Sequence, residues 1–197
     1  SRKRSKKRVG HLIRRPENMY LITASLLNAW HRLLTPSMWE RDIEKEKNEF
    51  QRVLNRVPTP VNQFIEKGFA FEKWCEQNFE ETKGGMYQVA LQKEMGDYLL
   101  YGRLDCLKAG VIYDYKFSSR YEVGKFYDNY QTPMYFELVP EAYKMAYIIT
   151  KTDKFSVDNI LREEYTRKEA QPIIPVIDEF MGWIKSNGYS MEKWIAR

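Results

Sequence analysis

The run Gly102–Ser119 reads G-R-L-D-C-L-K-A-G-V-I-Y-D-Y-K-F-S-S and predicts two β-strands joined by a tight turn. Asp105 lies near the end of the first strand-like run, Tyr98–Leu107, and Asp114 and Lys116 lie at the end of the second. Residues two apart in a strand share a face, so the last two side chains project together. A carboxylate beside an ammonium group, with a second carboxylate on the neighbouring strand, suits a hard divalent cation and a positioned nucleophile.

The length of the turn decides whether the two aspartates share a face. An even turn, such as Ala109-Gly110 or Lys108 to Val111, sets Asp105 directly across from Asp114. A three-residue turn sets Tyr113 opposite Asp105 and separates the carboxylates unless a bulge restores the phase. The chemistry favours the even turn, although Ala-Gly is not a preferred two-residue hairpin turn. The alternative is an ordinary hairpin with three solvated charges.

Further along the chain, Q-T-P-M-Y places Gln131 and Tyr135 four residues apart, which is the spacing of one helix face. Asp128 or Asn129 is a candidate cap for this helix, and Pro133 fits within its first turn, where a missing N–H matters least. A strand at residues 144–150, an edge strand at residues 155–165 and a final helix at residues 173–186 are predicted after it.

The motifs G-x-x-D, V-I-Y-D-Y-K-x-S and Q-x-x-x-Y together resemble the nuclease core of the PD-(D/E)XK superfamily. The similarity is to its RecB-like branch, which includes phage exonucleases and CRISPR adaptation nucleases, and it covers roughly Thr23 to Thr150. The D-Y-K triplet alone is a weak pattern. Its place after a β-run, with Asp105 upstream and Gln131 and Tyr135 downstream in the family's order, makes the resemblance specific. The implied fold is α/β: a restriction-endonuclease-like core, with a central mixed β-sheet flanked by helices and a helical N-terminal part.

The resemblance also implies a metal-dependent DNA nuclease that hydrolyses phosphodiester bonds. Asp105 and Asp114 would be direct Mg²⁺ ligands with the Tyr115 carbonyl as a third, and Mn²⁺ is expected to substitute. Lys116 would orient the nucleophilic water and offset charge in the transition state.

Two helix-borne groups complete the implied site. Gln131 and Tyr135 would position Lys116 or the DNA strand. Glu72 would bind the metal directly or through water, because Gly68-Phe-Ala-Phe-Glu72 matches a Gly-x-x-x-Glu pattern common in the family. Glu76, one turn further along the helix, is its nearest competitor.

The helix that carries Glu72 is predicted to begin at Thr59-Pro60 and to run to about Thr82. Gly68 inside it costs about 1 kcal/mol relative to Ala, so another group is expected to approach closely there. Two earlier helices are predicted, one capped by Thr23 or Ser25 and one opened by Thr35-Pro36.

Composition places the chain among globular proteins. It has 197 residues, 43% of them hydrophobic and 30% charged, and no apolar run approaches a membrane span. Cys75 and Cys106 are the only cysteines, which favours a reduced, cytoplasmic protein and excludes the four-cysteine iron–sulfur cluster that several RecB-like nucleases carry.

The basic charge is concentrated at the start of the chain. Residues 1–15 hold eight Lys or Arg and no acid, and the remaining 24 basic residues face 27 acids. This basic tail, residues 1–15, is predicted to precede a single nuclease domain, residues 16–197. It is suited to gripping phosphates, but a solubilising arm, a nuclear-localisation look-alike or a cloning remnant is an equal alternative.

Within the enzyme interpretation, an exonuclease in DNA recombination, repair or processing is favoured over a site-specific endonuclease, because no recognition module is evident. DNA is the expected partner, with a protein partner in a recombination or processing complex. The alternative function is a nuclease-fold DNA-binding or scaffold protein without catalysis. Every expected polar position is filled, which argues against lost activity. Tyr121, Tyr127 and Tyr130 are expected either to stack on bases or to form a semi-buried lid.

Overall fold

The structure, a computed structural model, describes residues 18–35 and 42–196, and in this part the chain forms one mixed β-sheet flanked by helices. The strands are β1 (Tyr20–Thr23), β2 (Met86–Met95), β3 (Tyr98–Lys108), β4 (Val111–Phe117), β5 (Lys144–Thr150) and β6 (Leu161–Thr166). The helices are α1 (Ala24–Leu34), α2 (Ile43–Leu54), α3 (Gln63–Asn78), α4 (Gln131–Leu138) and α5 (Ile173–Ser186). The predicted α/β class with a central mixed sheet is confirmed.

Strand β3 organises the sheet. One edge of β3 pairs antiparallel with β2 along nearly its whole length. The other edge is shared: β1 pairs in parallel with residues 98–101, and β4 pairs antiparallel with residues 106–108. Parallel β5 and antiparallel β6 continue the sheet beyond β4. A gap, here called the fork, therefore separates β1 from β4 beside residues 102–105.

The hairpin between β3 and β4 has the even register. Lys108 pairs with Val111, which leaves Ala109-Gly110 as a two-residue turn. Both turn residues have a left-handed φ, +50° and +77°, as a type I′ turn requires. The pairing of Cys106 with Tyr113 brings the next two residues, Asp105 and Asp114, opposite each other. The predicted register is confirmed, although the turn places a strained alanine where Asn or Gly is preferred.

Two hydrophobic clusters cover the two faces of the sheet. The larger joins α1, α4 and α5 to the sheet, with α2 packed behind them, and it includes Leu27, Leu104, Ile112 and Phe180. The smaller packs α3 on the opposite face through buried residues such as Phe71. On β4, Val111, Tyr113 and Tyr115 belong to the smaller cluster, and Ile112 between them belongs to the larger, as alternation in a strand buried on both faces requires.

The alternation of β3 breaks at Asp105. Leu104 and Leu107 both pack against the larger cluster although they are three residues apart. The alternation of β2 also breaks at this level, since Tyr87 packs against the smaller cluster and Val89, two residues on, packs against the larger. Gln88, between them, has a left-handed φ of +54°, which is rare for a residue with a side chain. A strained residue thus lies across the sheet from Asp105, and such strain concentrates at functional sites.

Helix starts are where the sequence predictions were least accurate. Helix α3 begins after Asn62, not at Thr59-Pro60, because the Asn62 side chain accepts hydrogen bonds from two backbone N–H groups, those of Phe64 and Ile65. It ends at Asn78, and Glu80–Thr82 forms a separate 3₁₀ turn. The Thr23 cap of α1 is confirmed by its hydrogen bond from Leu26 N–H.

Other predicted elements agree more closely with the structure. Strand β5 and helix α5 occupy the predicted residues, and the edge strand is the shorter segment Leu161–Thr166. The proposed opening of α2 at Pro36 and the basic tail lie outside the described residues. In the described part of the chain, no helix combines the length and the apolar character that crossing a membrane requires.

Candidate active site

A cleft of about 250 Å³ opens beside the fork. Helix α3 contributes one wall and strands β3 and β4 the other, and the first residue of α4 completes the lining. The residues that line it are Ile65, Gly68, Phe69, Glu72, Arg103, Asp105, Asp114, Tyr115, Lys116 and Gln131. Five of the six side chains predicted to form the site, all except Tyr135, thus meet at one place.

Asp114 is the most buried charged group in this cleft, with 2% of its surface exposed. Its Oδ1 atom lies 2.6 Å from Lys116 Nζ, and its Oδ2 atom accepts a hydrogen bond of 3.0 Å from Gln131 Nε2. The alternation of β4 places Asp114 and Lys116 on one face, as predicted. The two carboxylate oxygens therefore have different partners, an ammonium group on one side and an amide on the other.

Asp105 is held by the backbone of the opposite strand. Its Oδ2 atom accepts a 2.8 Å hydrogen bond from Tyr115 N–H, beyond the last regular pair of the β3–β4 ladder. Burial and the neighbouring Asp114 carboxylate raise the pKa of Asp105 to about 8, and Glu72 contributes in the same direction. When all are ionised, the carboxylates of Glu72, Asp105 and Asp114 outnumber the two cations that line the cleft, Arg103 and Lys116.

Glu72 faces the same cleft from α3, and its carboxylate accepts a hydrogen bond from Gln88 Nε2. Burial raises the pKa of Glu72, the Gln88 hydrogen bond opposes that rise, and Asp114 adds a small repulsion. The same amide lies 3.3 Å from a Glu76 carboxylate oxygen. Sequence reasoning missed Gln88, because nothing in the local pattern signals a left-handed residue within a strand.

Gln131 and Tyr135 support the carboxylates. Gln131 was expected to position Lys116 or the DNA strand, and in the structure its side chain contacts Asp114. Its Nε2 atom also donates to the Tyr135 hydroxyl at 3.2 Å, and that hydroxyl donates to the carbonyl oxygen of Arg103 at 3.1 Å. Tyr135 is buried beneath the cleft. Gly102 permits this packing, since a Cβ atom there would lie 2.7 Å from the Tyr135 ring.

Two further features of the cleft wall matter. Arg103 is exposed and lines the cleft, and sequence reasoning overlooked it despite its position two residues before Asp105 in a strand. Gly68 was expected to allow the close approach of another group. A Cβ atom at Gly68 would meet no other atom within 4 Å, so no described part of the chain uses that space.

The tyrosines between β4 and α4 divide into two groups. Tyr121 and Tyr130 are buried and belong to the larger hydrophobic cluster. Tyr127 is exposed and packs edge-on against Tyr165. Lys125, in the same segment, donates a 2.6 Å hydrogen bond to Ser118 Oγ. Tyr121 and Tyr130 are therefore core residues, neither a semi-buried lid nor a platform for bases, and of the three tyrosines only Tyr127 presents its ring to solvent.

The donor set suits an oxygen-liganded cation that retains water. Among residues 18–35 and 42–196, no three His, Cys, Asp or Glu side chains are arranged to hold a metal by themselves. Asp105 and Asp114 are opposite each other, and Tyr115 directs its carbonyl to the same edge of β4 as the N–H that reaches Asp105. Two carboxylates and a carbonyl with open positions are typical of Mg²⁺.

No family model matches the sequence, and no match is found among curated proteins. Solved structures do match. The crystal structure of SSO0001 is 17% identical, with 86% of this chain and 79% of that chain covered and a TM-score of 0.48. LHK-Exo, an alkaline exonuclease from Laribacter hongkongensis, is 12% identical, with 84% and 86% covered and a TM-score of 0.47. A phage-related exonuclease from Haemophilus somnus 129PT is 14% identical, with 85% and 91% covered and a TM-score of 0.45.

Proposed function

We propose that this protein is a Mg²⁺-dependent deoxyribonuclease that hydrolyses phosphodiester bonds in the cleft beside the fork. The observation that carries the proposal is the meeting of Asp105, Asp114 and Glu72 with Lys116 in one cleft. The raised pKa of Asp105 supports it, because burial and the neighbouring carboxylates disfavour its ionised form. A bound divalent cation would neutralise this negative charge.

The chain's own residues have separate tasks in this reaction. Asp105, Asp114 and the Tyr115 carbonyl would hold Mg²⁺, which supplies charge neutralisation at the scissile phosphate and a more acidic water. Glu72 would bind it directly or through water. Lys116 orients the attacking water and offsets the charge that develops on the phosphate oxygens.

The substrate would enter along the open wall of α3. The unused space at Gly68 lets a phosphate backbone approach the helix, and Arg103 at the cleft wall provides a cation for a phosphate next to the cleaved one. Following the resemblance of its motifs, we infer an exonuclease that acts in DNA recombination, repair or processing, together with a protein partner.

Cleavage of labelled DNA tests this proposal. The wild type is expected to cleave with Mg²⁺ or Mn²⁺ and to lose cleavage with EDTA. Single- and double-stranded substrates labelled at the 5′ or 3′ end, with a closed circle for comparison, separate exonuclease from endonuclease action. Metal-independent DNA binding with no cleavage of any substrate would instead indicate the inactive DNA-binding protein.

The site assignment has its own variants. Asp114→Ala and Lys116→Ala are each expected to lower the cleavage rate by about 10³-fold, because each removes a charge that acts on the reacting groups. Exposed residues outside the cleft give matched controls, Asp158→Ala and Lys185→Ala, which should cleave like the wild type. Near-wild-type turnover of either site variant, at unchanged thermal stability, would refute the assignment.

A further inference from the structure

A chain of side-chain amides ends on Asp114. Tyr130 N–H donates to Asn28 Oδ1 at 2.9 Å, and Asn28 Nδ2 donates to Asn129 Oδ1 at 2.9 Å. Asn129 Nδ2 donates in turn to Gln131 Oε1 at 3.1 Å, and Gln131 Nε2 donates to Asp114 Oδ2 at 3.0 Å. Four hydrogen bonds thus connect α1, the start of α4 and the carboxylate on β4.

The direction of this chain is determined at both ends. A backbone N–H can only donate, so Asn28 must turn its carbonyl oxygen towards Tyr130 and its NH₂ group towards Asn129. A carboxylate can only accept, so Gln131 must turn its NH₂ group towards Asp114. Reversal of any amide in between would set two acceptors or two donors against each other.

We propose that Asn129 is a positioning residue that orients the Gln131 amide, and through it the Asp114 carboxylate, for the nuclease reaction. This inference rests on the proposed function. Asn129 holds Gln131 at two points, because its Oδ1 atom also accepts a 2.8 Å hydrogen bond from Gln131 N–H. Gln131 Oε1 is therefore kept away from Asp114, and the amide presents only its donor.

The orientation of the Gln131 amide matters because the two oxygens of Asp114 bind different partners. Gln131 engages Oδ2, which leaves Oδ1 directed at Lys116 Nζ, 2.6 Å away. A carboxylate held by one fixed hydrogen bond cannot rotate to give both oxygens to the lysine. Ligand-supporting hydrogen bonds of this kind typically change metal affinity or activity by about 10- to 100-fold when they are removed.

Asn129→Asp is the sharpest test, because it is nearly isosteric and keeps an acceptor for Gln131 N–H and for Asn28. It removes the donor to Gln131 Oε1 and adds a negative charge. We expect about a 10-fold lower kcat with little change in KM for DNA and with the thermal midpoint preserved. In ¹⁵N spectra recorded without DNA or metal, the Gln131 side-chain NH₂ should lose its protection from solvent exchange.

Asn129→Ser separates orientation from charge. Serine is neutral, can accept from Gln131 N–H and is too short to reach Gln131 Oε1. It should reproduce the loss of kcat and of amide protection, at low and at high salt. If only the Asp variant loses activity, and salt restores it, the effect is through-space charge and the proposal is wrong.

A double-mutant cycle tests whether Asn129 acts through Gln131. In a Gln131→Met background, Asn129→Ser should cause no further loss of kcat; additive losses would overturn the proposal. So would a Gln131 amide that is equally protected in wild type and in both Asn129 variants. A wild type that does not cleave DNA would refute the proposed nuclease function, while the amide measurement would still decide whether Asn129 orients Gln131.

Discussion

Two buried carboxylate environments in this protein are built in opposite ways. Glu163 on β6 is 7% exposed and accepts four hydrogen bonds. Tyr121 OH and Gly124 N–H reach one oxygen at 2.7 and 2.8 Å, and Phe126 N–H and Tyr165 OH reach the other at 3.2 and 2.6 Å. The bonds tie the segment between β4 and α4 to the edge of the sheet.

The cleft has three carboxylates, Glu72, Asp105 and Asp114, and each has fewer described donors than Glu163 does. Asp105 accepts one backbone hydrogen bond, while burial and then repulsion from Asp114 and Glu72 raise its pKa. A buried carboxylate whose lone pairs are satisfied stabilises the surrounding chain. A cluster whose charge is not balanced costs stability, and it persists where a bound cation or substrate supplies the balance. The contrast indicates a structural role for Glu163 and supports the proposed catalytic role of the Asp105–Asp114 pair.

The largest effect on stability is expected from Glu163→Gln. An amide at this place turns its NH₂ group towards a backbone N–H, of Gly124 or of Phe126, and leaves it unpaired, at a cost of about 2–3 kcal/mol in the free energy of unfolding. Urea unfolding monitored by circular dichroism measures it. The neighbouring Glu164→Gln, which loses only surface ion pairs with Lys144 and Arg162, should cost less than about 1 kcal/mol. Equal losses of stability in the two variants would contradict the structural role of Glu163.

The pH dependence of stability should expose the imbalance at Asp105. Its folded-state pKa of about 8 lies above the unfolded value near 3.9, so the folded state binds the extra proton between those limits. Stability without metal should therefore fall as pH rises from about 4 to 8, by at most about 1.4 kcal/mol per pH unit.

Asp105→Asn should flatten this slope and stabilise the metal-free protein at pH 8. Mg²⁺ should stabilise the wild type more at pH 8 than at pH 6, because at the lower pH it must displace a proton. Thermal melts across this range, with and without Mg²⁺, check both statements. If Asp105→Asn kept the wild-type dependence of stability on pH, a group other than Asp105 would be its cause.

Glu72 and Glu76 offer a finer comparison on one helix. Glu72→Gln is expected to weaken the Mg²⁺-dependent stabilisation and to lower cleavage by about 10-fold, with partial rescue by more metal or by Mn²⁺. Glu76 also contacts Gln88 but does not line the cleft. In Glu76→Gln, the Mg²⁺-dependent stabilisation and the cleavage rate should therefore stay near the wild-type values. A metal titration followed by differential scanning fluorimetry distinguishes them, and identical behaviour would remove Glu72 from the site.

The smallest effect is expected from Arg103. Arg103→Ala should weaken DNA binding several-fold and reduce the slope of log Kd against log salt by about one, because one phosphate contact is lost. Arg103→Lys should retain most of that slope, and Lys168→Ala, outside the cleft, should leave it unchanged. Binding is measured by fluorescence anisotropy in Ca²⁺ to prevent cleavage. An unaltered slope for Arg103→Ala would show that DNA takes another path.

Much of this protein follows from local sequence. The alternation of β4 put Asp114 and Lys116 on one face, the two-residue turn set Asp105 opposite Asp114, and apolar periodicity located α5 correctly. Each of these depends on short-range geometry, which a strand, turn or helix imposes on its own residues. The α/β class and the mixed sheet were predicted from the motif resemblance, and the structure confirms them.

Other features were decided by tertiary structure alone. The left-handed Gln88 lies where β2 and β3 both change phase, and Asn129 meets Asn28 across 101 positions of the chain. Glu163 is buried only because the segment before α4 folds over it. No local pattern encodes such contacts, since a polar side chain acquires its partners when distant elements pack and water leaves. The sequence alone thus predicted which carboxylates meet, and the packing of distant elements decided how each is held.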